Sequence, residues 1–107
     1  MVQISTMLST LYINMDIQHK DEDNKGSFFV EKNGKVKAEI TYSKAGNTKI
    51  IIDHTEVSDS LRGEGVGKAL VEHAVNYARK NELTVIPLCP FAKSVIERNE
   101  SLQDVLN

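Results

Sequence analysis

The chain has 107 residues, 40% of them apolar and 26% charged, with a formal net charge of -2. That length suits one domain, which buries roughly two-thirds of the surface its unfolded chain exposes. The near-neutral balance gives no sign of nucleic-acid or anionic-membrane binding, the one cysteine (Cys89) excludes an intrachain disulfide, and the three scattered histidines (His19, His54, His73) give no metal-ligand spacing.

Residues 1–14, MVQISTMLSTLYIN, are mildly apolar but lack a basic leader region and a small-residue cleavage site. No apolar run approaches the ~18 residues of a membrane span. Met7 and Met15 are alternative starts, and regular patterning begins near Met15. Residues 1–14 are therefore expected to be an N-terminal extension and residues 15–107 a single domain. A cytoplasmic setting and a monomer or weak dimer are the simplest expectations for a chain with one free thiol and an exposed sheet edge.

MDIQHK reads as a short strand, and KDEDNK as a solvated turn. SFFVEK is the next strand, closed by Asn33-Gly34, a strong type I′ hairpin signal. Val36, Ala38, Ile40 and Tyr42 then alternate with polar residues, the pattern of a half-buried antiparallel strand. KAGN turns the chain into TKIIIDHTEV, where Ile50, Ile51 and Ile52 suggest burial on both faces. A helix is expected from about Gly65 to Lys80. Val66, Leu70, Ala74, Tyr77 and Ala78 fall on one stripe, and Arg79 and Lys80 sit where the helix dipole favours cations. LTVIPL is a fifth strand, and Pro90 opens a second helix through about Arg98. Leu102, Val105 and Leu106 suggest a last turn packed on the core. The order ββββ-α-β-α implies an α+β fold: an antiparallel meander of four strands, a helix, a parallel fifth strand and a C-terminal helix.

The segment SDSLRGEGVGKAL places Gly63, Gly65 and Gly67 where a helix begins. Glycine costs roughly 1 kcal/mol inside a helix, so bare backbone must serve a purpose. The first N–H groups of a helix lack internal partners and attract anions, and glycine lets a phosphate approach closely. The dinucleotide fingerprint fails, because Lys68 stands where G-x-G-x-x-G needs its last glycine. The P-loop fails too, with Arg62 at its first glycine and Ala69 after the lysine. A plain strand-to-helix turn needs one glycine, not three flanked by Arg62 and Lys68.

Arg62-Gly63-Glu64-Gly65-Val66-Gly67 matches the R/Q-x-x-G-x-G/A pyrophosphate loop of the GNAT acetyltransferases. His54-Thr55-Glu56-Val57 before it and Cys89-Pro90-Phe91-Ala92-Lys93 after it extend the likeness. From about Met15 onward the chain resembles the small, single-domain, YjdJ-like branch of that superfamily. The resemblance implies acetyl-CoA held between splayed fourth and fifth strands. Its pyrophosphate would lie on residues 62–67 with Lys68 one turn further, and its pantetheine arm would meet the Val57 backbone. Lys93 and Arg98 would be near the adenosine phosphates.

Cys89 ends a strand and precedes a helix, a position that favours a thiolate. It is a candidate to accept the acetyl group or to protonate the departing CoA thiolate. His54 and Glu56 share one face of the fourth strand, with Thr55 and Val57 on the other. Either could act as the base that gives an uncharged amine. No metal site is expected. The reading is an acetyl-CoA-dependent N-acetyltransferase acting on an amine the sequence does not identify. The rival is a non-catalytic or weakly active CoA-binding module. It is favoured by short length and by the lack of any tyrosine after Tyr77.

Overall fold

The structure, a computed structural model, describes residues 16–106. The extension expected over residues 1–14 lies outside the described residues. Strands β1 (Ile17–Asp21), β2 (Lys25–Lys32), β3 (Lys35–Ala45), β4 (Lys49–Val57) and β5 (Thr84–Pro87) form one sheet in chain order. The first four pair antiparallel, and β5 pairs with β4 in parallel. Helix α1 (Val66–Lys80) links β4 to β5, and α2 (Pro90–Glu97) follows β5. Short 3-10 turns cover Asp59–Leu61 and Glu100–Val105. This is the α+β arrangement expected from the sequence. Asn33 and Gly34 both have positive φ, 55° and 79°, as a type I′ turn requires.

Two extra residues decide which side chains face the core. Across β2 and β3, Val30 opposes Ala38 but Glu31 opposes Val36, so Lys37 is unpaired. Such a bulge reverses the alternation. Ala38, Ile40 and Tyr42 are buried as expected, whereas Val36 turns outward and is 52% exposed. Across β3 and β4, Thr41 opposes His54 but Tyr42 opposes Ile52, leaving Asp53 unpaired. Ile50 and Ile52 therefore share the inner face with Thr55 and Val57 rather than with His54 and Glu56. Asp53 points outward, accepting a 2.5 Å hydrogen bond from Ser43 Oγ. Ile51 is only half-buried, against the expectation of burial on both faces. The helices feed a core on the inner side, and the outer side is left polar and largely open.

That core joins the inner sheet residues to Val66, Leu70, Val71, Ala74, Val75 and Ala78 of α1 and to Ala92 and Ile96 of α2. Leu102 and Val105 pack back on it, while Leu106 bridges to Val85 and stays partly exposed. Arg79 fastens α1 to the last turn. Its Nε lies 2.9 Å from Asp104 Oδ2, its Nη1 donates to Asn76 Oδ1 at 2.8 Å, and Nη2 donates to the Ser101 carbonyl.

The sheet edge has a polar lock. Tyr42 lies across Gly26, where any Cβ would overlap its ring. The Tyr42 hydroxyl donates to Asp21 Oδ1 at 2.8 Å and accepts from His19 Nε2, 2.7 Å away, in the tautomer this requires. Lys44 Nζ completes the group, 2.9 Å from Asp21. The His19 ring stacks on Phe28 with centroids 4.1 Å apart and meets Tyr77 edge-on. Asp21 therefore belongs to the end of strand β1 and to this hydrogen-bonded group rather than to a turn, although it stays exposed.

Candidate functional site

β4 and β5 pair from Lys49–Thr84 to Ile52–Pro87 and then separate. The Ile52 carbonyl accepts from both the Leu88 and Cys89 N–H groups at 3.1 Å, which turns the chain away from β4. Among the described residues, no strand lies on the β5 side of Asp53–Val57 beyond this fork. The fork opens toward the glycine-rich turn.

Gly65 caps α1 with φ 76°, and Gly63 has φ 81°, both in the left-handed region that glycine enters at little cost. A Cβ on either would meet nothing within 4 Å, so the turn presents open backbone rather than packed backbone. The first α-helical bond is Ala69 N–H to the Gly65 carbonyl at 3.0 Å. The N–H groups of Val66, Gly67 and Lys68 precede it and have no partner in the helix. Gly67 differs: it is buried, and a Cβ there would lie 2.7 Å from the Phe91 ring. These glycines, Arg62, Val66, Lys68, Val57 and Phe91 line a groove of about 320 Å³. Arg62 is exposed and paired with Asp59, Nε to Oδ1 2.9 Å. Glu64 is exposed beside the turn without lining the groove.

Cys89 caps α2 ahead of Pro90 and is 5% exposed. Its sulfur lies 3.3 Å from Thr55 Oγ1 across the fork. Burial pushes the thiol pKa up, but the Thr55 hydroxyl and the backbone N–H groups of Ala92, Phe91 and Thr55 outweigh that together and hold it below its ordinary value.

His54 and Glu56 are exposed on the outer face, with Glu56 directly opposite Glu39. Glu56, Glu39, Ser58 and Asp59 line a second groove, of about 300 Å³, that shares Val57 with the glycine-loop groove. The structure does not bring Cys89 together with His54 or Glu56, since they face opposite sides of the sheet. Nor does it bring Lys93 to the glycine turn: Lys93 lines a third groove with Val85, Ile86, Pro87, Glu97 and Leu106. Arg98 caps the C-terminus of α2 and is exposed. Among the described residues no group of three or more His, Cys, Asp or Glu side chains could hold a metal ion.

Residues 27–105 match the family described as GCN5-related N-acetyl-transferase. The chain belongs to the GCN5-related N-acetyltransferase family. A GCN5-like member from Staphylococcus aureus, solved by NMR, is 43% identical and superposes with a TM-score of 0.68 over 88% of this chain and 89% of its own. Protein NATD1 from Homo sapiens is 26% identical over 93 residues, covering 86% of this chain and 82% of that protein. A Bacillus anthracis protein crystallised in complex with acetyl coenzyme A shares the fold at 20% identity and a TM-score of 0.52, over 63% of this chain and 39% of its own.

Within this member of the GCN5-related family, sequence reasoning missed Thr55 and Phe91 as parts of the candidate site. The Cys89–Thr55 contact spans 34 positions and depends on the Asp53 bulge, which no local pattern announces. Phe91 carried a signal: an exposed aromatic directly after Cys-Pro, at 45% exposure.

Proposed function

We propose that this protein binds acetyl-CoA along the Arg62–Lys68 turn and transfers its acetyl group to an amine. The family uses acetyl-CoA as co-substrate. The single observation that carries the reading is the open volume over Gly63 and Gly65 at the start of a 15-residue helix. Backbone N–H groups of Val66, Gly67 and Lys68 would hold the pyrophosphate, helped by the Lys68 and Arg62 charges. The half-buried Val57 backbone, free of β5, would receive the pantetheine arm, and Phe91 would wall the groove. Acetyl-CoA supplies the activated thioester; the chain's part is to orient it and to manage protons.

Cys89 would act at the fork, either taking the acetyl group or returning a proton to the departing thiolate. The amine acceptor would approach the second groove, where Glu56, or His54 through water, removes its proton. Two grooves meeting at Val57 give donor and acceptor separate entries. We assign a cytoplasmic setting and a monomer or weak dimer to the protein.

One observation favours the second reading, a CoA-binding module with little or no turnover. Cys89 and the two candidate bases lie on opposite faces, so the usual nucleophile–base contact is missing. Intact mass after incubation with acetyl-CoA, paired with calorimetry for CoA, separates the readings. An acetyl adduct that disappears in Cys89→Ala supports transfer through Cys89. Binding without any acetylation of protein or added amines supports the module. Absence of CoA binding overturns both.

A further inference from the structure

We propose that Thr55 is a positioning residue for Cys89: its hydroxyl holds the sulfur at the fork of β4 and β5, in the orientation and ionisation that acetyl transfer needs. This rests on the reading of Cys89 given above. Thr55 Oγ1 lies 3.3 Å from the sulfur and, among the described residues, is the one side-chain group recorded in hydrogen-bond contact with it. Thr55 reaches the sulfur because of the Asp53 bulge, which turns it inward opposite Ile40. The branched side chain has few rotamers, so the hydroxyl is held rather than swung into place.

Nucleophilic cysteines are commonly activated by a neighbouring base. Here His54 and Glu56 of β4 face the other side of the sheet, and Lys68 of α1 and Lys93 of α2 are exposed. Instead the sulfur meets the Thr55 hydroxyl, and Cys89 caps the start of α2, whose N–H groups favour its thiolate. In the thiol form the S–H donates to Oγ1. Once that proton leaves, the Thr55 O–H rotates and donates to the thiolate. Attack then forms the bond from Sγ to the acetyl carbon and breaks the bond from that carbon to the CoA sulfur. CoA leaves as a thiolate and takes up a proton from solvent, matching the one Cys89 released.

The test is alkylation of the folded protein by iodoacetamide across pH, read by intact mass; Cys89 is the chain's one cysteine, so the adduct that is missing in Cys89→Ala reports it. Thr55→Val, which keeps shape and loses the hydroxyl, should raise the midpoint of the rate profile by about one pH unit. Thr55→Ser should restore the wild-type midpoint. Thr55→Ala replaces the valine variant if circular dichroism shows that the valine variant does not fold. A midpoint unmoved in the valine or alanine variant overturns the proposal, as does one raised equally in Thr55→Ser. The profiles need no acetyl transfer. If acetyl-CoA leaves Cys89 unmodified, transfer through acetyl-Cys89 fails while alkylation still decides the role of Thr55.

Discussion

Gly67 and Phe91 fit together because Gly67 has no side chain. A Cβ at position 67 would lie 2.7 Å from Cζ and 2.9 Å from Cε2 of the Phe91 ring, closer than carbon atoms pack. The contact locks the first turn of α1 against the first turn of α2, with Val57 on its third side. Gly67→Ala should therefore overpack this junction and cost about 1–3 kcal/mol of stability. Adding Phe91→Ala should recover part of the loss, a non-additivity that urea denaturation of the single and double variants measures. Strictly additive losses would mean that the junction yields without strain.

Gly65 has the opposite surroundings, open space and a left-handed backbone. Gly65→Asn tests space and strain separately, because asparagine tolerates that conformation better than other side chains. The variant should fold with a near-normal melting temperature yet lose most of its CoA affinity by calorimetry. Retained affinity would show that the pyrophosphate does not sit over this turn.

Lys68 is exposed beside the same turn. Lys68→Ala should weaken CoA binding and flatten its dependence on salt, since screening acts on the charge that was removed. Calorimetry at two ionic strengths reads both effects. An unchanged salt slope would assign the attraction to backbone dipoles alone.

The lock at His19 should make stability depend on pH. Burial is the main reason its pKa lies below 6.5, with Asp21 opposing and Lys44 reinforcing that shift. The folded state thus binds a proton less readily than the unfolded chain. The stabilisation is complete above the unfolded value and is lost as pH falls through 6.5 toward the folded pKa. Melting temperature should drop across that acidic window, and His19→Phe, which keeps the stacking on Phe28, should flatten the drop. An equal drop in both proteins would place the titration elsewhere.

Much of this was legible in the chain. Asn33-Gly34 announced its hairpin, Pro90 its helix start, and the glycines their turn. The fold followed because each signal is local. What escaped notice depends on distant partners. The outward turn of Val36 exists because β2 lacks a residue to match Lys37, and nothing near Val36 encodes it. Gly26 directly follows the stretch that reads as a turn, yet it is bare because Tyr42 crosses it from the neighbouring strand. In the site, the loop was readable as a contiguous motif. The placement of Cys89 beside Thr55, and of His54 and Glu56 on the far face, was settled by register.

The unpaired Asp53 gives β4 one more residue than its pairing with β3 uses, and both halves of the strand still present the same faces. Losing that single codon would leave Ile52 inward, His54 outward and Thr55 inward, so both sheet faces would keep their occupants and Thr55 would stay beside the sulfur. What would go is the bend and added twist that a bulge gives the strand just ahead of the fork. One residue inserted between His54 and Thr55 would do the opposite, turning Thr55 and Val57 away from the core. In-frame deletion at the Asp53 codon should therefore be far less damaging than that insertion, a difference that melting temperature reads.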